Sequence, residues 1–134
     1  ISRINSCDMV GEKLSSELST GLINEFNHLN PICLIGIERP IKTNEPPYYI
    51  LLINIDKTQD TAGLELKVEN YLRQYYHYNL ARDLRQLGSV KFIKDLNATS
   101  IYERICMQKG IIKGNIKVES LISINDDRAL NEYL

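Results

Sequence analysis

The chain predicts an α+β fold, a small mixed sheet with helices packed against it. Three observations predict it. The hydrophobic periodicities run helix, two strands, two helices, strand, helix and strand, an order that suits one sheet with helices on it. One strand-like run, around Ile50 to Ile53, is apolar on both alternating faces, which marks a strand covered on both sides. The 134 residues, 43% hydrophobic and 25% charged, fit a single globular domain over 1–134. A domain of this size buries roughly two-thirds of its unfolded surface and needs no disulfide or metal to hold a core.

The elements follow in order. Leu14, Leu18, Leu22, Phe26 and Leu29 recur at helical spacing ahead of Asn30-Pro31, predicting a helix over about 15–29. Runs 32–37 and 48–55 are β-rich and flank the turn-forming stretch 40–47, so they read as a hairpin. Leu64, Val68, Leu72 and Tyr75 predict a helix over about 62–76, and a second follows over about 78–87, ended by Gly88. Val90, Phe92 and Ile93 suggest a strand. Asn97 to Ser100 offer caps for a helix through Lys109, which Gly110 stops. Residues 111–124 have β character, and Asp126-Asp127 can cap a final helical turn holding Leu130 and Leu134.

Composition narrows the function classes. Sixteen Lys and Arg against seventeen Asp and Glu give a net charge of -1, without the basic excess expected of a nucleic-acid binder. No apolar run approaches the roughly 18 residues of a membrane span. Three widely spaced cysteines, Cys7, Cys33 and Cys106, without Cys-x-x-Cys, suit a reducing, cytoplasmic setting, and His28 and His77 offer no paired metal-ligand spacing. No metal site is expected from the chain's own ligands. The start at Ile1, with no signal segment, is expected of a piece of a longer polypeptide or of a processed product.

Three blocks are candidates for chemistry. Asp8-Met9-Val10-Gly11-Glu12-Lys13-Leu14 sets carboxylates, a glycine and Lys13 just before the first helix; it reads either as a ligand-facing turn or as a capped helix start with solvated charges. Tyr78, Arg82 and Gln86 stand at i, i+4 and i+8, so one helical face would present a guanidinium and an amide to an anion, unless Arg82 pairs with Asp83 or another acid. Gly110, Gly114, Asn115 and Lys117 form a glycine-spaced segment ending in a lysine suited to a phosphate or developing oxyanion. Its spacing is not that of a P-loop, and an ordinary loop is the other reading. Tyr71, Tyr75, Tyr76 and Tyr78 read as amphipathic packing, and Cys106 as a packed thiol.

Taken in order, Asp8-Met9-Val10-Gly11-Glu12-Lys13-Leu14-Ser15, Tyr78-x-x-x-Arg82-x-x-x-Gln86-Leu87-Gly88 and Gly110-x-x-x-Gly114-Asn115-Ile116-Lys117 resemble the C-terminal domain of the Gretchen-Hagen-three (auxin-responsive promoter) family of acyl-acid amido synthetases. The resemblance spans nearly the whole chain. It implies a lid domain of the adenylate-forming superfamily, which swings over a larger N-terminal adenylation domain. There a small carboxylic acid is activated with ATP and Mg²⁺, then passed to an amine such as an amino acid. The implied ligase activity belongs to the two domains together, and ATP and Mg²⁺ are bound mainly by the N-terminal one.

Residue by residue, the resemblance gives Lys117 the catalytic role, toward the nucleotide phosphates and acyl carboxylate. Gly114, Asn115, Lys13 and Arg82 become nucleotide-binding candidates. Asn115 stands where the family usually has Gln, and Val118, Glu119 and Ser120 replace its usual prolines and arginine. Segment 1–12, with Arg3 and Asn5, falls near the superfamily's hinge. The alternative is a free-standing, non-catalytic α+β interaction or ligand-binding module, with neither nucleic acid nor membrane as partner in either case.

Overall fold

In the computed structural model, which describes residues 6–134, the central layer is a four-stranded mixed sheet in the order β5-β4-β3-β6. Strand β3 (Pro31–Ile37) and β4 (Tyr48–Ile53) form the antiparallel hairpin expected, pairing Leu34 with Leu51 and Ile35 with Ile50. The other two strands, β5 (Lys91–Lys94) and β6 (Leu121–Ile124), add in parallel at the two edges, to β4 and β3 respectively. Parallel neighbours need crossover segments, and the helices supply them. Arg3 and Asn5, proposed near a hinge, lie outside the described residues.

Helices cover both faces. α1 (Ser16–Glu25), α2 (Leu64–Leu72) and α3 (Tyr76–Asp83) bury Leu18, Leu22, Val68, Leu72, Tyr78 and Ala81 against Leu34, Tyr49, Leu51, Ile53 and Phe92. On the other face α4 (Ala98–Gln108) sets Ile101, Tyr102 and Ile105 against Ile35, Ile50, Leu52 and Ile93. Because successive strand residues point to opposite sides, β4 serves both cores, which is why its sequence is apolar throughout.

Element ends depart from the periodicity. The helix expected over 15–29 stops at Glu25 and tightens into a 3-10 turn at Asn27–Leu29. Asn30 takes φ 51°, and Pro31 behind it disfavours a helical Asn30. The stretch 62–76 divides earlier than expected, since α2 ends at Leu72 and Tyr75 is extended. The helix expected over 78–87 runs instead over Tyr76–Asp83, and Arg85 at φ 59° closes it before Gln86. Gly110, at φ 89°, ends α4 as expected.

Of the β-like stretch 111–124 only β6 pairs in the sheet, and a 3-10 turn forms at Lys113–Asn115. The last turn is 3-10, Arg128–Tyr133, and Asp126 caps it by accepting the Arg128 N–H at 3.0 Å. Asp127 turns inward. An unexpected two-stranded ribbon joins β1 (Ser6–Cys7) to β2 (Leu14–Ser15).

Candidate functional site

The first block folds around a buried carboxylate. Gly11 takes φ 96°, the turn its lack of a Cβ permits, and Asp8 accepts the Gly11 N–H at 2.7 Å. That turn drives Glu12 inward, where it is 1% exposed. Its carboxylate accepts the Met9 and Val10 N–H groups at 2.9 and 2.8 Å and the Tyr49 hydroxyl at 2.5 Å. Burial and the neighbouring Cys7 and Glu12 push the Tyr49 hydroxyl far above its usual range, so it stays a donor. Lys13 is left exposed, at φ 51°, on the side of the sheet that α1, α2 and α3 cover.

The second block closes on another buried carboxylate, Glu69 of α2, 6% exposed. Glu69 accepts the Tyr78 hydroxyl at 2.9 Å, the Val90 N–H at 3.0 Å and Arg82 Nε at 2.7 Å, while Arg73 Nε stands 3.2 Å away. Arg82 Nη1 also donates to the Leu87 carbonyl at 2.9 Å. Arg82 therefore does pair with an acid, though Glu69 rather than Asp83, which Arg73 holds instead at 3.0 Å. Gln86 lies beyond the end of α3, so the expected row of three does not form. The Tyr49 and Tyr78 rings, 6.3 Å apart, join the two carboxylate clusters across the core.

The third block differs in kind. Between α4 and β6 the chain runs exposed through Gly114, Asn115 and Lys117. Tyr102, 1% exposed, reaches up from α4 beneath it. Its hydroxyl donates to the Lys117 carbonyl at 2.8 Å and accepts the Glu119 N–H at 2.8 Å, gripping the backbone on both sides of Val118. Desolvation raises the Tyr102 hydroxyl above its usual range, against the lowering effect of the Glu119 N–H, so it remains protonated and able to donate.

Lys117 Nζ has no hydrogen-bond or ion-pair partner among the described residues. Beside it opens a cleft of about 520 Å³ lined by Tyr102, Cys106, Lys109, Asn115, Lys117 and Glu119, with Ile111 and Ile122. An ammonium and an amide over a mostly apolar cleft can hold an oxyanion while burying part of an organic body.

The candidates thus separate. Asn115 and Lys117 share a cleft on the α4 side of the sheet, with Gly114 on the same loop, where an added Cβ would meet nothing within 4 Å. Lys13 and Arg82 belong to the opposite side, and Arg82 is already held by Glu69. Tyr102, Lys109 and Glu69 escaped the sequence reading, and Glu12 was noticed within its block but not as a buried carboxylate. Tyr102 carried a signal, since it lies at helical spacing with Ala98, Ile101 and Ile105 and a buried hydroxyl needs a partner.

All three cysteines are buried and free, and burial pushes the Cys7 thiol up to about 11. Among the described residues no three His, Cys, Asp or Glu side chains gather as a metal site, and no helix is long and apolar enough to cross a membrane. No protein-family model, curated protein or solved structure matches the chain.

Proposed function

We propose that this domain is the lid of an ATP-dependent acyl-acid amido synthetase, acting with a larger N-terminal adenylation domain on a small carboxylic acid and an amine such as an amino acid. The observation that carries the proposal is Lys117: an unpartnered cation on an exposed loop whose backbone a buried tyrosine grips from both sides. A flexible ammonium on a fixed backbone is suited to being delivered to a phosphate by a rigid-body swing.

In this reading ATP supplies the activating adenylyl group, the carboxylate oxygen bonding to the α-phosphorus as pyrophosphate leaves. Lys117 neutralises charge on the phosphate oxygens, Asn115 donates a hydrogen bond beside it, and closure of the lid excludes water from the activated acid. The donor set of this domain fits the nucleotide's anionic end and not Mg²⁺, which the reading assigns to the phosphates and the partner domain. The three unpaired thiols accord with a cytoplasmic setting.

The test is carboxylate-dependent ATP–pyrophosphate exchange by the polypeptide carrying both domains. Lys117→Ala should lower the rate about 100-fold, the scale of losing one charge-stabilising group. An unchanged rate overturns the catalytic role of Lys117. A second reading, a non-catalytic ligand-binding module, is favoured by the engagement of Arg82 with Glu69 away from the Lys117 cleft. It predicts that the isolated domain binds an acyl-adenosine analogue unaided, whereas the lid reading predicts that binding needs the partner.

A further inference from the structure

The Lys117 cleft contains a second lysine that the resemblance does not single out. Lys109, the residue just past α4, lines the same cleft. Its Nζ donates to the Ser123 carbonyl on β6 at 2.7 Å, so the long side chain is held rather than waving in solvent. That acceptor is neutral, and Lys109 forms no ion pair with a described carboxylate, so its charge is left for a ligand. One of the three ammonium donors is engaged and two are left. Glu119 is the acid on the cleft wall, against two lysines.

We propose that Lys109 and Lys117 together make a two-cation seat for a phosphate chain, with Lys109 as a second phosphate-binding residue. The inference rests on the lid reading and deepens it: a single lysine suits one phosphate group, whereas two on one cleft suit the two linked groups of a diphosphate. The Tyr102 grip fixes the loop that carries Lys117, and the Ser123 carbonyl fixes Lys109. The Lys109 ammonium and the backbone carrying Lys117 are therefore in place before the ligand arrives, which lowers the entropy lost on binding.

Lys109 also follows the C-terminus of α4, where a cation is favourable to the helix whatever it binds. The experiment must separate the two roles. Inorganic pyrophosphate is titrated into the chain while backbone amide NMR shifts of residues 109–119 are followed, with thermal unfolding measured on each variant. Lys109→Gln and Lys117→Gln should each weaken binding about tenfold, the worth of a charge-assisted contact. Lys109→Arg should keep most of the affinity, and Lys67→Gln, at an exposed position of α2, should keep all of it.

Undiminished affinity in Lys109→Gln with weakened affinity in Lys117→Gln overturns the role of Lys109 and leaves the lid reading standing. So does equal loss in Lys109→Arg and Lys109→Gln that follows a fall in melting temperature. No shift at these amides at millimolar pyrophosphate, or full affinity in both glutamine variants, overturns the seat and removes the support that the cleft lends to the lid reading.

Discussion

The Tyr102 hydroxyl has both hydrogen-bonding capacities used by one backbone stretch, donating to Lys117 and accepting from Glu119. Tyr102→Phe keeps the ring in the core but leaves the Glu119 N–H without its acceptor, so the domain should lose about 1–2 kcal/mol. Amide hydrogen exchange at Glu119 should quicken while exchange in β4 follows only the global change. At Arg82 the expectation is the reverse of a ligand contact. Arg82→Ala removes a partner from the buried Glu69 and should cost about 2–3 kcal/mol by denaturant unfolding, with Arg73 retaining part of the interaction. Pyrophosphate binding in the folded fraction should be unchanged. A loss of binding without loss of stability would return Arg82 to the site.

Among the elements, those whose burial follows one period were readable in advance, and those ended by hydrogen bonding were not. The hairpin of β3 and β4 and the bodies of α1 and α2 follow from apolar spacing, because burial of a face is what the periodicity reports. The helix ends at Leu72 and Asp83 coincide with an Arg73–Asp83 ion pair and a left-handed Arg85, which no local apolar pattern encodes. Stretch 111–120 has the composition of a strand but lies outside the sheet, and only Leu121–Ile124 finds β3. The loop's exposed Ile112, at 72%, is what misleads a reading by composition. Gly110, like Asn97 at the start of α4, is an element boundary that composition did reveal. Gly110→Ala places a Cβ at φ 89° and should destabilise the domain by about 1–2 kcal/mol in thermal unfolding, while an alanine at exposed Gly114 should be near neutral.

Across the whole molecule, the sheet divides the motifs into two kinds. On the α1–α3 side, Glu12 gathers Tyr49 and two backbone N–H groups and Glu69 gathers Tyr78 and the Val90 N–H, so two of the three blocks that drew notice as chemistry are built around buried carboxylates. Sequence spacing shows that a glutamate, a tyrosine and an arginine are near one another, and cannot show whether they face a ligand or each other. The opposite side holds the open cleft. It is also tied at a distance: Asp127 accepts the Tyr48 hydroxyl at 2.7 Å and the Ile41 N–H at 3.0 Å, joining the C-terminal turn to β4 and the hairpin loop.

Burial works to raise the Asp127 carboxyl, but those two donors, its own N–H and Lys91 outweigh it and hold the group below the usual carboxylate range. A depressed carboxylate stabilises the fold above its unfolded value, near 4, and loses that contribution as pH falls through the lower folded value. Asp127→Asn should therefore be less stable at neutral pH and show a shallower fall in stability on acidification, read from urea unfolding at stepped pH.

One comparison separates the two sides of the sheet. Carboxylate-dependent ATP–pyrophosphate exchange is measured for Lys117→Ala and Lys13→Ala in the two-domain polypeptide, each normalised to its folded fraction. Lys117→Ala should lose about 100-fold and Lys13→Ala should change little, since Lys13 stands on the other side of the sheet. Equal losses, or a loss for Lys13 alone, would contradict this separation and move the functional face to the side held by Glu12 and Glu69.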